Sequence, residues 1–159
     1  MLGGWTFLAW PAFDVRWGAL IRAVAQRRAA APGSQASPAA TVLAALVRVM
    51  RDHIARDPNA PGYRLRQDLG AWRRVKFLGR LRLFYRFNST HRLVVLTWLN
   101  DEHTLRKEGA STDPYIVFAS MLARGEIPSD WDALVAGAAR MTAPLPDPAA
   151  RSPQETPRE

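Results

Sequence analysis

The residues best suited to chemistry lie between Trp72 and Asn100, in the run WRRVKFLGRLRLFYRFNSTHRLVVLTWLN. In an extended strand alternate residues share a face. Trp72, Arg74 and Lys76 therefore point one way, and in the following run Arg80, Arg82, Phe84 and Arg86 share a face. Guanidinium groups grip phosphates through paired hydrogen bonds and stack on bases, and aromatic rings set among them offer platforms for bases. Such a face suits RNA, although alternating cations on a strand are also common on a merely solvated surface. Of the three histidines, His53, His91 and His103, none forms a pair with metal-ligand spacing. His103 falls just after the third strand, near Arg106, and fits either a proton-transfer group or a polar residue at a helix start. No glycine-rich phosphate loop, nucleophile elbow or paired-carboxylate pattern is present.

The elements that must position these residues read as three consecutive strands, broken by turns at Leu78-Gly79 and Asn88-Ser89-Thr90. A three-residue loop, Leu78-Gly79-Arg80, would pair Lys76 with Arg82 and put the basic sets on one side, with Val75, Phe77, Leu81, Leu83, Tyr85 and Phe87 on the other. Upstream, Gly4 to Trp10 could be an edge strand closed by Pro11. Helical spacing of Phe13, Trp17, Leu20, Ile21 and Val24 predicts a helix from Ala12 to Arg28, and Val42, Leu46, Val49 and Met50 predict a second from about Pro38 to Arg56. Tyr63 to Ala71 reads as a basic loop. Downstream, Asn100 or Asp101 could cap a turn or two of helix ending near Gly109. Thr112 or Asp113 caps a helix begun by Pro114, with Tyr115, Phe118, Met121 and Leu122 inward and Gly125 as its stop, and Ser129 or Asp130 caps another from Trp131 to about Arg140. The expected fold is α+β: an antiparallel sheet with the N-terminal helical pair on one face, short C-terminal helices, and the basic face left open.

The composition allows one packed domain, expected over 1–141, and the Pro-rich stretch 142–159 is expected to be a disordered tail. The formal net charge is +8, and the segment Tyr63 to Lys107, with eleven Lys/Arg against three acids, holds all of the excess. All but two of the 22 cations are arginines. Without cysteine there is no disulfide, thiol nucleophile or Cys-based metal site. The N-terminus has no export-signal pattern and no apolar run approaches spanning length, so a soluble, cytoplasmic protein without membrane contact is expected.

Several strings together carry a resemblance: Trp72-Arg73-Arg74-Val75-Lys76-Phe77; Arg80-Leu81-Arg82-Leu83-Phe84-Tyr85-Arg86; Trp98-Leu99-Asn100-Asp101-Glu102 with Thr104-Leu105-Arg106; and Thr112-Asp113 with Tyr115 and Val117-Phe118. With Gly4-Trp5, Pro11 and Phe13 they resemble the YhaV toxin family, of the RelE superfamily of toxin–antitoxin ribonucleases, over about residues 4 to 135. The resemblance implies a RelE-like fold and an mRNA-cleaving toxin needing no metal or other cofactor, held in check by an antitoxin similar to the PrlF swapped-hairpin family. Arg74 and Lys76 match the basic positions of the family's first central strand, Arg82 the superfamily's sheet arginine, and Arg106 and Tyr115 the later Arg and Tyr. Many relatives carry several lysines on this face, whereas here Lys76 stands alone.

Metal-free RNA cleavage requires activation of the 2′-OH, stabilisation of the phosphorane and protonation of the 5′-oxygen. Arginine serves the second role and rarely the first, because it stays protonated. The expectation is that Arg74, Arg82 and Arg106 hold the phosphate while Lys76, Tyr115 or His103 moves protons, and that Trp72, Arg73, Arg80, Phe84 and Arg86 contact RNA, free or on the ribosome. Two other classes remain open at this point: a gyrase-directed toxin of the same superfamily, and an RNA- or ribosome-binding module without catalysis.

Overall fold

Strand β3 (Leu81–Asn88) runs through the middle of the basic segment, flanked by β2 (Arg73–Phe77) and β4 (Leu93–Leu99). In this computed structural model, which describes residues 1–33, 35, 37–66, 69–105 and 107–141, the β2–β3 register is as the alternation predicts. Lys76 faces Arg82, and Val75 faces Leu83. Leu78 and Gly79 both take positive φ (46° and 76°), which closes the hairpin.

The five-stranded sheet has the order β2-β3-β4-β1-β5. β1 (Thr6–Ala9) is an inner strand, parallel to β4, because a strand not foreseen, β5 (Ala139–Arg140), covers its other side. The edge-strand reading of Gly4 to Trp10 is therefore corrected. The expected last helix also ends early, α4 spanning Trp131–Gly137. A Cβ at Gly137 would lie 2.3 Å from the Trp10 ring, so close packing there needs glycine before the chain turns into β5.

Helices α1 (Pro11–Ala30) and α2 (Pro38–Arg48) pack on one face of the sheet. Ser37 caps α2 by accepting the Ala40 N–H, and Pro38 fills the first helical position, where no donor is needed. α2 continues as a π-helical turn, Val49–Ile54, whose wider spacing turns Val49, Met50 and Ile54 inward together. Phe13, Trp17, Leu46, Met50 and Ile54 meet Val75, Leu83, Tyr85, Val94 and Leu96 in this core. Burying each of the larger side chains contributes about 1.5–3 kcal/mol.

The opposite face is not left open as expected. Helix α3 (Pro114–Ala123), α4 and the segment between them lay Phe118, Leu134 and Ile127 over Trp72, Phe84 and Val95 as a second core. The rings of Phe84 and Phe118 stack at 4.3 Å, and Trp72 meets Phe118 edge-on at 5.0 Å. A bulge in β4 makes this possible. The register slips between Phe84/Trp98 and Tyr85/Leu96, leaving Thr97 as the extra residue, so Val95 and Trp98 share the α3 side while Leu96 and Leu99 share the other. Among the described residues, Lys76 at the β2 end of this face stays exposed.

Between β4 and α3, the turn or two of helix expected from Asn100 to Gly109 is absent among the described residues, which form turns instead. Buried Asn100 is otherwise engaged: its Oδ1 accepts the Arg82 N–H, and its Nδ2 donates to the Arg80 and Thr104 carbonyls. No helix among the described residues is long and apolar enough to cross a membrane.

Candidate active site

Two elements distant in sequence converge where the sheet is uncovered. Asp113 caps α3 by accepting the Tyr115 N–H on Oδ1, and its Oδ2 accepts the Gly109 N–H. That cap sets Tyr115 in the first turn, leaning over β2 and β3. The Tyr115 hydroxyl oxygen accepts Nε–H from Arg74 at 2.7 Å and from Arg82 at 3.3 Å. Arg74 also donates to the Gly62 carbonyl at 2.6 Å and lies 5.9 Å from the Tyr115 ring centre. Arg82 is only 6% exposed, and its Nη1 donates to the Gly79 and Leu81 carbonyls. A guanidinium so enclosed has little surface left to offer a phosphate, unlike the open cation expected, and its side-chain partners are the Tyr115 hydroxyl and these two carbonyls.

Beside this trio opens a cavity of about 430 Å³ lined by Arg64, Leu65, Arg66, Leu69, Arg74, Lys76, Glu108 and Tyr115. Arg64, Arg66 and Lys76 are exposed. Four cations around one hollow favour an anion there, because their fields add. Among the described lining residues Glu108 is the single carboxylate. Arg64, Arg66 and Glu108 were missed by the sequence reading, although the two arginines repeat the alternate spacing of Arg74 and Lys76 a few residues before β2.

The remaining expected residues fall elsewhere. Trp72 and Phe84 are 2% and 0% exposed within the second core, so neither can offer a ring to a base without displacing Phe118; their expected stacking role is overturned. Arg73 points to the α1–α2 side, where it donates to Asn59 Oδ1 and the Gly70 and Trp72 carbonyls and covers the Phe87 ring. Partial burial, with help from Arg64, lowers its pKa. Arg86 donates to the Ser129 carbonyl and lies over both Trp72 and Trp131, clasping α4 to the sheet, and burial lowers its pKa too. Both arginines are thus engaged within the fold and not turned to the cavity. Arg80 is exposed in the hairpin turn. His103 is exposed, 3.6 Å from Glu102, and is not part of the cavity lining. Arg106 lies outside the described residues. Among the described residues no three His, Asp or Glu side chains gather as a metal site.

Residues 7–139 match a family described as a toxin with endonuclease activity, of a toxin–antitoxin system. The chain belongs to the YhaV toxin family. It is 40% identical over 140 residues to the ribonuclease toxin YhaV of Escherichia coli strain K12, covering 84% of this chain and 91% of that protein. The toxin YhaV of Escherichia coli O6:H1 is similar to the same extent. The solved toxin–antitoxin complex RelBE2 of Mycobacterium tuberculosis has a chain 29% identical, superposing with a TM-score of 0.34 over 39% of this chain and 70% of that one. As a YhaV-family member the protein is an endonuclease toxin with an antitoxin partner, and the gyrase-directed and purely binding readings give way.

Proposed function

We propose that this endoribonuclease cleaves mRNA through the RNA's own 2′-hydroxyl, without a metal ion, and that the cavity beside Tyr115 is where it does so. The observation carrying this reading is the Tyr115 hydroxyl, which accepts hydrogen bonds from two guanidiniums at the wall of a cationic cavity. In the reaction the 2′-oxygen bonds to phosphorus as its proton leaves, the bond to the 5′-oxygen breaks, and that oxygen takes up a proton. Arg74 and Lys76 stabilise the charge that accumulates on the phosphorane oxygens, the role preorganised donors serve best. Arg64 and Arg66 hold the flanking backbone. Tyr115, aimed by Arg74 and Arg82, exchanges protons with one of the two reacting oxygens, and Lys76 serves the other. His103 takes no part. The products are a 2′,3′-cyclic phosphate and a 5′-hydroxyl.

The substrate is mRNA in the cytoplasm, free or on the ribosome, and the restraining partner is an antitoxin of the PrlF type. The test is single-turnover cleavage of a short RNA by purified protein in EDTA, with and without ribosomes, with end-group analysis of the products. Cleavage abolished by EDTA and restored by a divalent ion, or products ending in 3′-hydroxyl and 5′-phosphate, would sink the reading.

A further inference from the structure

β2 is one of the two outer strands of the sheet, and among the described residues only part of its outer flank is covered. Arg64 bridges to Arg73, and the Gly62 carbonyl holds Arg74. From Val75 to Phe77 no described residue pairs with the strand on that side. An edge of this kind offers backbone N–H and C=O groups to any extended chain that reaches it.

What distinguishes this edge is a hollow on each side of it. On the α3 side lies the cationic cavity of the active site. On the α1–α2 side lies a second, of about 370 Å³, whose wall includes Ala45, Val49, Phe77 and Leu78 together with Arg48 and His53. Lys76 lines both. A strand laid along β2 at the usual spacing of about 4.8 Å would send alternate side chains to opposite faces, and therefore into one hollow and then the other. Leu78 marks the same place. It is 51% exposed and lines the second cavity, yet holds a left-handed backbone (φ 46°) that Asn or Gly would adopt more easily.

We infer that this edge is where the antitoxin docks: an extended antitoxin segment adds as a strand along Val75 to Phe77, placing an acidic side chain in the cationic cavity and an apolar one beside Phe77 and Leu78. Charge complementarity selects this occupant over a second copy of the toxin, which would bring cations to cations. The consequence for activity rests on the proposed site: the acidic side chain takes the place of the scissile phosphate between Arg74 and Lys76. Main-chain hydrogen bonds supply affinity and the two hollows supply the sequence requirement, as in other strand additions.

Hydrogen exchange of the toxin, alone and saturated with its cognate antitoxin, tests the inference. Amides from Val75 to Leu78 should exchange at least ~10-fold more slowly in the complex. The toxin variant Leu78→Asn, which suits the turn, should bind the antitoxin at least ~5-fold more weakly, while Val15→Asn, on the exposed side of α1, binds as wild type. Protection that spares Val75 to Leu78 overturns the inference. So does protection of this edge in the toxin alone that grows with its concentration, which would place a second copy there. An edge protected by antitoxin on a toxin that cleaves no RNA would keep the docking site and sink the proposed chemistry; cleavage with an unprotected edge would do the reverse.

Discussion

Tyr115→Phe removes one oxygen from the site and little else, so it isolates the proton-transfer role. Single-turnover cleavage should fall by roughly 10²–10⁴, while RNA binding, carried by the surrounding cations, holds. Binding and cleavage falling together would reduce Tyr115 to part of the binding surface. Arg74→Ala should lower the cleavage rate by on the order of 10², and Arg74→Lys should recover little, since an ammonium cannot bond the tyrosine, the Gly62 carbonyl and a phosphate as a fork does. Arg28→Ala, which removes the same charge from the exposed end of α1, should leave the rate nearly unchanged. Equal small losses in Arg74→Ala and Arg28→Ala would mean that charge alone matters. At this scale the alternation around Arg74, Lys76 and Arg82 was legible, because strand geometry alone decides which residues share a face. The fate of Trp72, Phe84 and Arg82 was not. What buries them is α3, some thirty residues onward, and no local pattern announces that a helix will settle on a face already rich in cations.

Helix starts were the most readable elements: the second helix begins at Pro38 as expected, with Ser37 its cap, and Asp113 and Asp130, each one of two candidates, cap α3 and α4, whereas α1 starts without a side-chain cap. The β4 bulge was hidden because Leu93 to Leu99 is apolar nearly throughout, and alternation cannot register a slip where both faces are buried. Asn100 misled for a related reason. Its usual role at helix starts made a cap plausible, whereas its amide ties the β2–β3 turn to Thr104. The cap of α3 has a functional as well as a structural role. Asp113→Ala should cost about 0.5–2 kcal/mol in urea unfolding. Because the same carboxylate fixes the backbone of Tyr115 and of Gly109 beside Glu108, the cleavage rate measured on the folded variant should fall further than stability alone explains. Unchanged turnover in a destabilised variant would separate the cap from the site.

Over the whole molecule, one buried phenol and one half-buried phenol bear on stability at alkaline pH. Burial pushes the Tyr85 phenol far above its ordinary range and moves Tyr63 the same way. Because the unfolded chain releases these protons from about pH 10 upward and the folded chain resists, stability is complete below that pH and declines as pH rises beyond it. Melting temperature followed from pH 8 to 11, on the order of the phenol range, should show the decline, and Tyr85→Phe should flatten it despite losing the 2.6 Å bond to the Pro58 carbonyl. RNA binding should weaken with salt at a slope of about −2 to −3 if three or four backbone charges are neutralised; a flat response would mean that the cavity cations do not meet the backbone. The Pro-rich segment 142–159 lies outside the described residues, and deletion after Met141 is expected to preserve cooperative unfolding and cleavage. The parallel pairing at the sheet's centre has a consequence in time. β1 is made first but rests between β4 and β5, with Thr6 beside Leu93 and Leu8 beside Arg140. Contacts so far apart close slowly, since the chain's entropy is lost before the pairing rewards it. A polypeptide still being synthesised therefore carries Arg74 and Lys76 well before it has the completed sheet that aims them, and the poison is armed only once Ala139 and Arg140 have been made, leaving the producing cell an interval in which to have the antidote ready.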